Sequence, residues 1–137
     1  MIVGYSIFLF FRPQDKFDWS QIRPEVKDSV VMLQQNYLAY GPTGINFQFS
    51  KGYFTREWIS SNMTVLEAKI LVSYPTSAVR WLSIEHIYYN DNNYFNRLRP
   101  VLIKDSSYIL IGGGGCVSST FRVCDLVKRL SSQEILQ

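Results

Sequence analysis

The chain has only two cysteines, Cys116 and Cys124, a single histidine, His86, and no lysine beside its one glycine run. Each shortage removes a class of chemistry. Two cysteines eight residues apart are too few for a disulfide framework or a zinc site; they suit two small buried hydrophobes in a reducing compartment. One histidine excludes paired-histidine phosphodiesterase and zinc motifs and leaves a hydrolytic triad one candidate base. Charge is sparse as well, with 18% Asp, Glu, Lys and Arg and a net charge of +3. So mild a balance permits contact with nucleic acid or acidic membranes without pointing there. No apolar run approaches the roughly 20 residues of a membrane span. Residues 1–11 come nearest, but they lack a positive leader and a small-residue cleavage site. They are expected to form a buried strand of a cytoplasmic protein. Without a secretion signal, the glycosylation triplet Asn62-Met63-Thr64 is expected to be accidental.

What the chain has in abundance is aromatic. Nine Tyr, nine Phe and three Trp make up 15% of 137 residues. Each can bury on the order of 150–250 Å², and a surplus of Tyr and Trp suits an interface. The length fits one globular domain over residues 1–137, able to bury about two-thirds of its unfolded surface.

Periodicity gives a provisional order of elements. Residues 2–11 read as a strand covered on both faces. Ile22, Val26, Val30, Leu33 and Tyr37 form a stripe that predicts a helix within 18–40. Pro24 stands at its first position, Glu25 in its first turn, and Gly41-Pro42 stops it. Residues 45–50 alternate, predicting a strand with Ile45, Phe47 and Phe49 inward; residues 53–59 fit strand or short helix. Residues 64–74 give the clearest strand signal, with Leu66, Ala68, Ile70, Val72 and Tyr74 on one face. Residues 79–89 alternate as their hairpin partner and carry His86 beside Leu82, Ile84 and Tyr88. A loop at 90–93 and an unassigned stretch at 94–100 follow. A second hairpin is expected from 101–103 and 108–111. The last helix runs from about 119 to 130, with Phe121, Cys124, Val127 and Leu130 inward and Lys128 and Arg129 in the last turn. The sum is an α+β fold, a mostly antiparallel sheet of about five or six strands with two helices packed on one face.

Four candidate sites emerge. Gly112, Gly113, Gly114 and Gly115, with Ser118, Ser119 and the hydroxyl of Thr120, precede the last predicted helix, where backbone N–H groups would cradle an anion. The run also fits a structural joint or a close backbone contact, and it has neither the P-loop lysine nor the spaced dinucleotide glycines. Tyr88, Tyr89, Tyr94, Phe95, Arg97 and Arg99 interleave rings with guanidinium groups, the mixture that anchors protein interfaces and single-stranded nucleic acid. His86 reads as a hydrogen-bonded sheet residue or, more sharply, a general base. Asp91 among asparagines reads as a solvated turn, without the calcium-loop pattern.

No run carries a motif of a known family, and no metal, cofactor or catalytic residue is assigned. In composition the chain resembles many virus-encoded accessory or assembly proteins, which would place it in the host cytoplasm or particle. The leading expectation is a non-enzymatic binding or assembly protein with a protein partner or itself, as a homo-oligomer, without a membrane span. The alternatives are a single-stranded nucleic-acid-binding domain that uses the aromatic-arginine loop, and a phosphate- or nucleotide-binding enzyme centred on the glycines.

Overall fold

A computed structural model describes residues 17–33, 36–44, 46, 48–114 and 117–136. The strand expected at 2–11 lies outside them. The described elements run α1 (Pro24–Met32), β1 (Tyr37–Ala39), α2 (Lys51–Asn62), α3 (Val65–Leu71), α4 (Ser77–Asn90), α5 (Asn92–Leu102), β2 (Tyr108–Gly114), β3 (Val117–Arg122) and α6 (Val123–Leu136). The expected five- or six-stranded antiparallel sheet with two helices does not form. Six helices and one three-stranded sheet of order β1-β2-β3 are present among the described residues, with β1 parallel and β3 antiparallel to β2.

The largest correction concerns residues 64–74 and 79–89, read as a hairpin and found within α3 and α4 and their connection. Alternating apolar residues also arise where a helix buries more than one side, so period-2 patterning alone does not distinguish the two. In α4, Ala78, Val79, Trp81, Leu82, Ile84 and Ile87 are all buried, because α3, α5, α6 and β2 pack around it. In α3 the decisive residues are polar. The Thr64 hydroxyl accepts from the Glu67 N–H at 3.1 Å, and the Glu67 carboxylate accepts from the Thr64 N–H at 3.0 Å. This reciprocal capping box fixes the helix start and leaves Leu66, assigned inward, 64% exposed.

Similar local chemistry sets the other starts. Pro24 and Glu25 open α1 as expected, and Ile22, Val26, Val30 and Leu33 are buried. Tyr37, expected on the same helical stripe, instead begins β1. Ser50 accepts from the Tyr53 N–H and caps α2, so residues 53–59 are helical. Among the described residues of 45–50 there is no strand beyond an isolated Thr43–Gln48 bridge; Ile45 and Phe47 lie outside the described residues and Phe49 is exposed. Asp91 accepts from the Tyr94 N–H and caps α5, which absorbs 94–100 and the strand expected at 101–103.

Residues 108–111 are a strand, but its antiparallel partner is β3 rather than residues 101–103. The last helix begins at Val123 and extends to Leu136, so Lys128 and Arg129 are not in its last turn and Phe121 belongs to β3. Arg80 ties β2 in place. Its guanidinium pairs with Asp105 at 3.0 Å and donates to Ser107 and to the Tyr74 and Pro75 carbonyls. Among the described residues no helix is long and apolar enough to cross a membrane.

Candidate functional site

α2 and α4 both line a cleft of about 440 Å³, together with Tyr40 just after β1. Arg56 of α2 is 6% exposed, which a guanidinium tolerates only when its donors are engaged. Its Nε donates to the Ala39 carbonyl at 2.7 Å and its Nη2 to Glu57 at 2.6 Å. Its flat face lies 4.2 Å from the Tyr40 ring centroid and 5.3 Å from that of Tyr53, so two aromatic rings flank one cation.

From α4, Glu85 accepts a hydrogen bond from the Tyr40 hydroxyl at 2.6 Å. Burial pushes the Glu85 carboxyl up, while the Tyr40 bond and the Arg56 charge offset part of that rise. Burial, then the negative charge of Glu85, pushes the Tyr40 hydroxyl up, so Tyr40 keeps its proton and acts as the donor. His86 lies one residue on, along the cleft wall, its imidazole pushed down by burial. Ser60 and Ser61 line the cleft from α2, yet no hydrogen bond joins either to His86 or Glu85. An activated serine nucleophile needs such a base within reach. The cleft presents held polar groups, the Arg56 guanidinium and the Tyr40–Glu85 pair.

Beyond Arg56 the surface turns aromatic. Tyr53 packs against Phe49 at 4.6 Å between ring centroids and against Phe54 at 5.4 Å. Phe49 and Phe54 are 49% and 59% exposed. The contacts Phe54–Tyr53–Arg56–Tyr40–Glu85 form one unbroken line from ridge to cleft. Sequence reading missed every one of these residues as functional. A usable signal existed in Phe49 before the Ser50 cap and Phe54 at the fourth helical position, the spacing of a hydrophobic staple; nothing local marks Arg56 or Glu85.

The residues singled out from sequence are dispersed. Tyr88, Tyr89, Tyr94, Phe95, Arg97 and Arg99 lie on two helices, not on one loop. Phe95 is fully buried, against the expectation of exposed rings, with Tyr88 edge-on at 5.0 Å. The Tyr88 hydroxyl donates to the Leu130 carbonyl. Lys69 and Arg97 stand over the half-buried Tyr94 ring, and Arg99 donates to Ser131. Tyr89 is exposed and lines the cleft. Asp91, read as a solvated turn, caps α5 and pairs with Lys69 at 2.9 Å; that pairing and the Tyr94 N–H hold its carboxyl down.

The glycines sit in a strand. Gly112 pairs with Ser118 and Gly114 with Val117, so β3 stands between the run and the helix expected to bind an anion with it. The first N–H groups of that helix are engaged as well, Val123 to the Ser107 carbonyl at 2.9 Å and Cys124 to that of Asp105 at 2.8 Å. The run serves close approach within the chain. A Cβ at Gly112 would collide with the Tyr37 hydroxyl, and one at Gly113 would lie 3.1 Å from the Gly41 nitrogen. Gly115 and Cys116 lie outside the described residues; Cys124 is a buried free thiol. Among the described residues no group of three or more His, Cys, Asp or Glu is placed to hold a metal ion.

Comparison of the chain with protein-family models, with curated proteins and with solved structures finds no match.

Proposed function

We propose that this chain is a non-enzymatic assembly protein whose ridge of Phe49, Tyr53 and Phe54 packs against a second copy of itself. The exposed three-ring cluster, continuous with Tyr40 through Arg56, carries the reading. Aromatic rings and arginine are typical interface anchors, because rigid side chains bury much area at small entropic cost. A two-fold interface sets a patch against its own copy, so the patch must be compatible with itself. This one is. Its charges, Arg56 and Glu57, pair with each other at 2.6 Å, and Lys51 stands exposed in the first turn of the same helix. The cleft supports a binding role in turn, since Tyr40 donates to Glu85 and the pair stands ready to recognise a polar group.

Sedimentation velocity between about 1 and about 100 µM tests the proposal in the range of weak to moderate self-association. The dimer fraction should rise with concentration and resist added salt, because burial of neutral rings is not screened. The Phe49→Ala/Phe54→Ala variant should stay monomeric, with its melting temperature within about 2 °C of the parent, as expected for exposed positions. A parent chain that is monomeric throughout the range, or a variant that assembles unchanged, overturns it.

A further inference from the structure

A second surface differs from the first in the property that decides the partner, its charge. β2, β3 and α6 border a groove of about 540 Å³ lined by Tyr108, Phe121, Arg122, Asp125, Lys128 and Arg129. Three positive charges face one negative, a net of +2 where the whole chain carries +3. Asp125 is taken up by Arg122, whose Nε lies 3.1 Å from Oδ2. Lys128 and Arg129 are exposed and have no carboxylate partner among the described residues. Packed against its own copy, such a groove would set like charges together. The complementary occupant is a polyanion.

The groove also presents aromatic faces beside the cations. Tyr108 is 61% exposed and pairs directly across the ladder with Arg122. The Arg129 guanidinium lies 4.9 Å from the Phe121 centroid. Thr120 and Ser118 add exposed hydroxyls on the face of β3 that carries Arg122, since alternate residues of a strand share a face. We infer that this groove binds single-stranded nucleic acid, with Lys128, Arg129 and Arg122 on phosphates and Tyr108 stacking on a base. A basic track interleaved with exposed rings is the combination that single strands use, because every base offers a stackable face while a duplex hides its own. The inference is independent of the aromatic ridge.

The test is fluorescence anisotropy of the full chain with labelled oligouridylate and oligothymidylate of about 20 nucleotides. Binding should be micromolar at low salt. It should weaken about tenfold to twentyfold from about 50 to about 200 mM salt, the response expected of three phosphate contacts on a single strand. Lys128→Glu/Arg129→Glu should cost more than about tenfold by placing like charges on the phosphates. Tyr108→Ala should cost about fivefold or more with the salt slope unchanged, the signature of lost stacking. All three positions are exposed, and circular dichroism checks that the variants fold. Three results overturn the inference: no binding at about 100 µM protein in low salt, a duplex or heparin bound as tightly as the single strand, or anionic vesicles bound with no effect of Tyr108→Ala.

Discussion

Glu67 shows how one buried polar residue outweighs the apolar residues around it. Its carboxylate accepts from the Arg23 side chain, the Arg23 backbone N–H and the Thr64 N–H, and so ties the starts of α1 and α3 together. Burial opposes its ionisation, yet the bonds from Arg23 and Thr64 win and hold the carboxyl at about 2. The folded value lies below the unfolded value of about 4.5, so the native state favours the charged form. The stabilisation is complete above about pH 4.5 and is lost as pH falls towards about 2. Glu67→Gln should destabilise at neutral pH by on the order of 2 kcal/mol, discounted because Arg23 is partly exposed and screened. Melting curves against pH should also lose much of their slope in that acid window; an unchanged slope would contradict the assignment.

Phe95 decides a different question at the same scale. It is fully buried, with the Tyr88 ring at 5.0 Å and 84°. Phe95→Ala should therefore cost about 3–5 kcal/mol in urea unfolding, the range for a large core aromatic. A loss under about 1 kcal/mol would put the ring back on the surface.

Among the elements, β2 carries the most constraint per residue. Its β1 partner is only three residues long, and Tyr37 crosses Gly112 on the shared face. Leu110 N–H donates to the Asn36 carbonyl and Tyr40 N–H to that of Gly112, each at 2.8 Å, so the two strands cannot drift apart to admit a side chain. Gly112→Ala should destabilise by about 1–3 kcal/mol, the usual result of overpacking. Part of the loss should return in a Tyr37→Phe background, where the clashing hydroxyl is gone. Equal losses in both backgrounds, measured by urea denaturation, would show that the strain lies elsewhere. The same geometry gives Gly112 and Gly113 a structural meaning: close packing of β2 on Tyr37 and Gly41 within one chain.

At the scale of the whole molecule, the two candidate surfaces divide by charge. The ridge at the start of α2 is aromatic and internally neutral, and the groove beside α6 carries most of the net positive charge. α4 packs against α3, α5, α6 and β2, which buries apolar residues on more than one of its sides and blurs its helical period. A surface helix shows its period because one face meets water, and a central one has little polar face to display. That is why α1, half exposed, was legible as a helix from its stripe and its proline, while α4 read as a strand.

What the sequence determined by itself was local: Pro24 and Glu25 opening a helix, the apolar stripe of α1, a strand at 108–111, and a buried Cys124. The Thr64–Glu67 box was equally readable, but the alternating apolar residues that follow it drew the assignment the other way. Tertiary structure alone decided which face of each element met the core and which residues met one another. Arg56 comes from α2, Glu85 from α4 and Tyr40 from the segment after β1, while Tyr108 and Arg129 come from β2 and α6. Each group is brought to one site by packing at long sequence separation, and a spacing rule, which reads only the nearest turn or strand, holds no information about such placement.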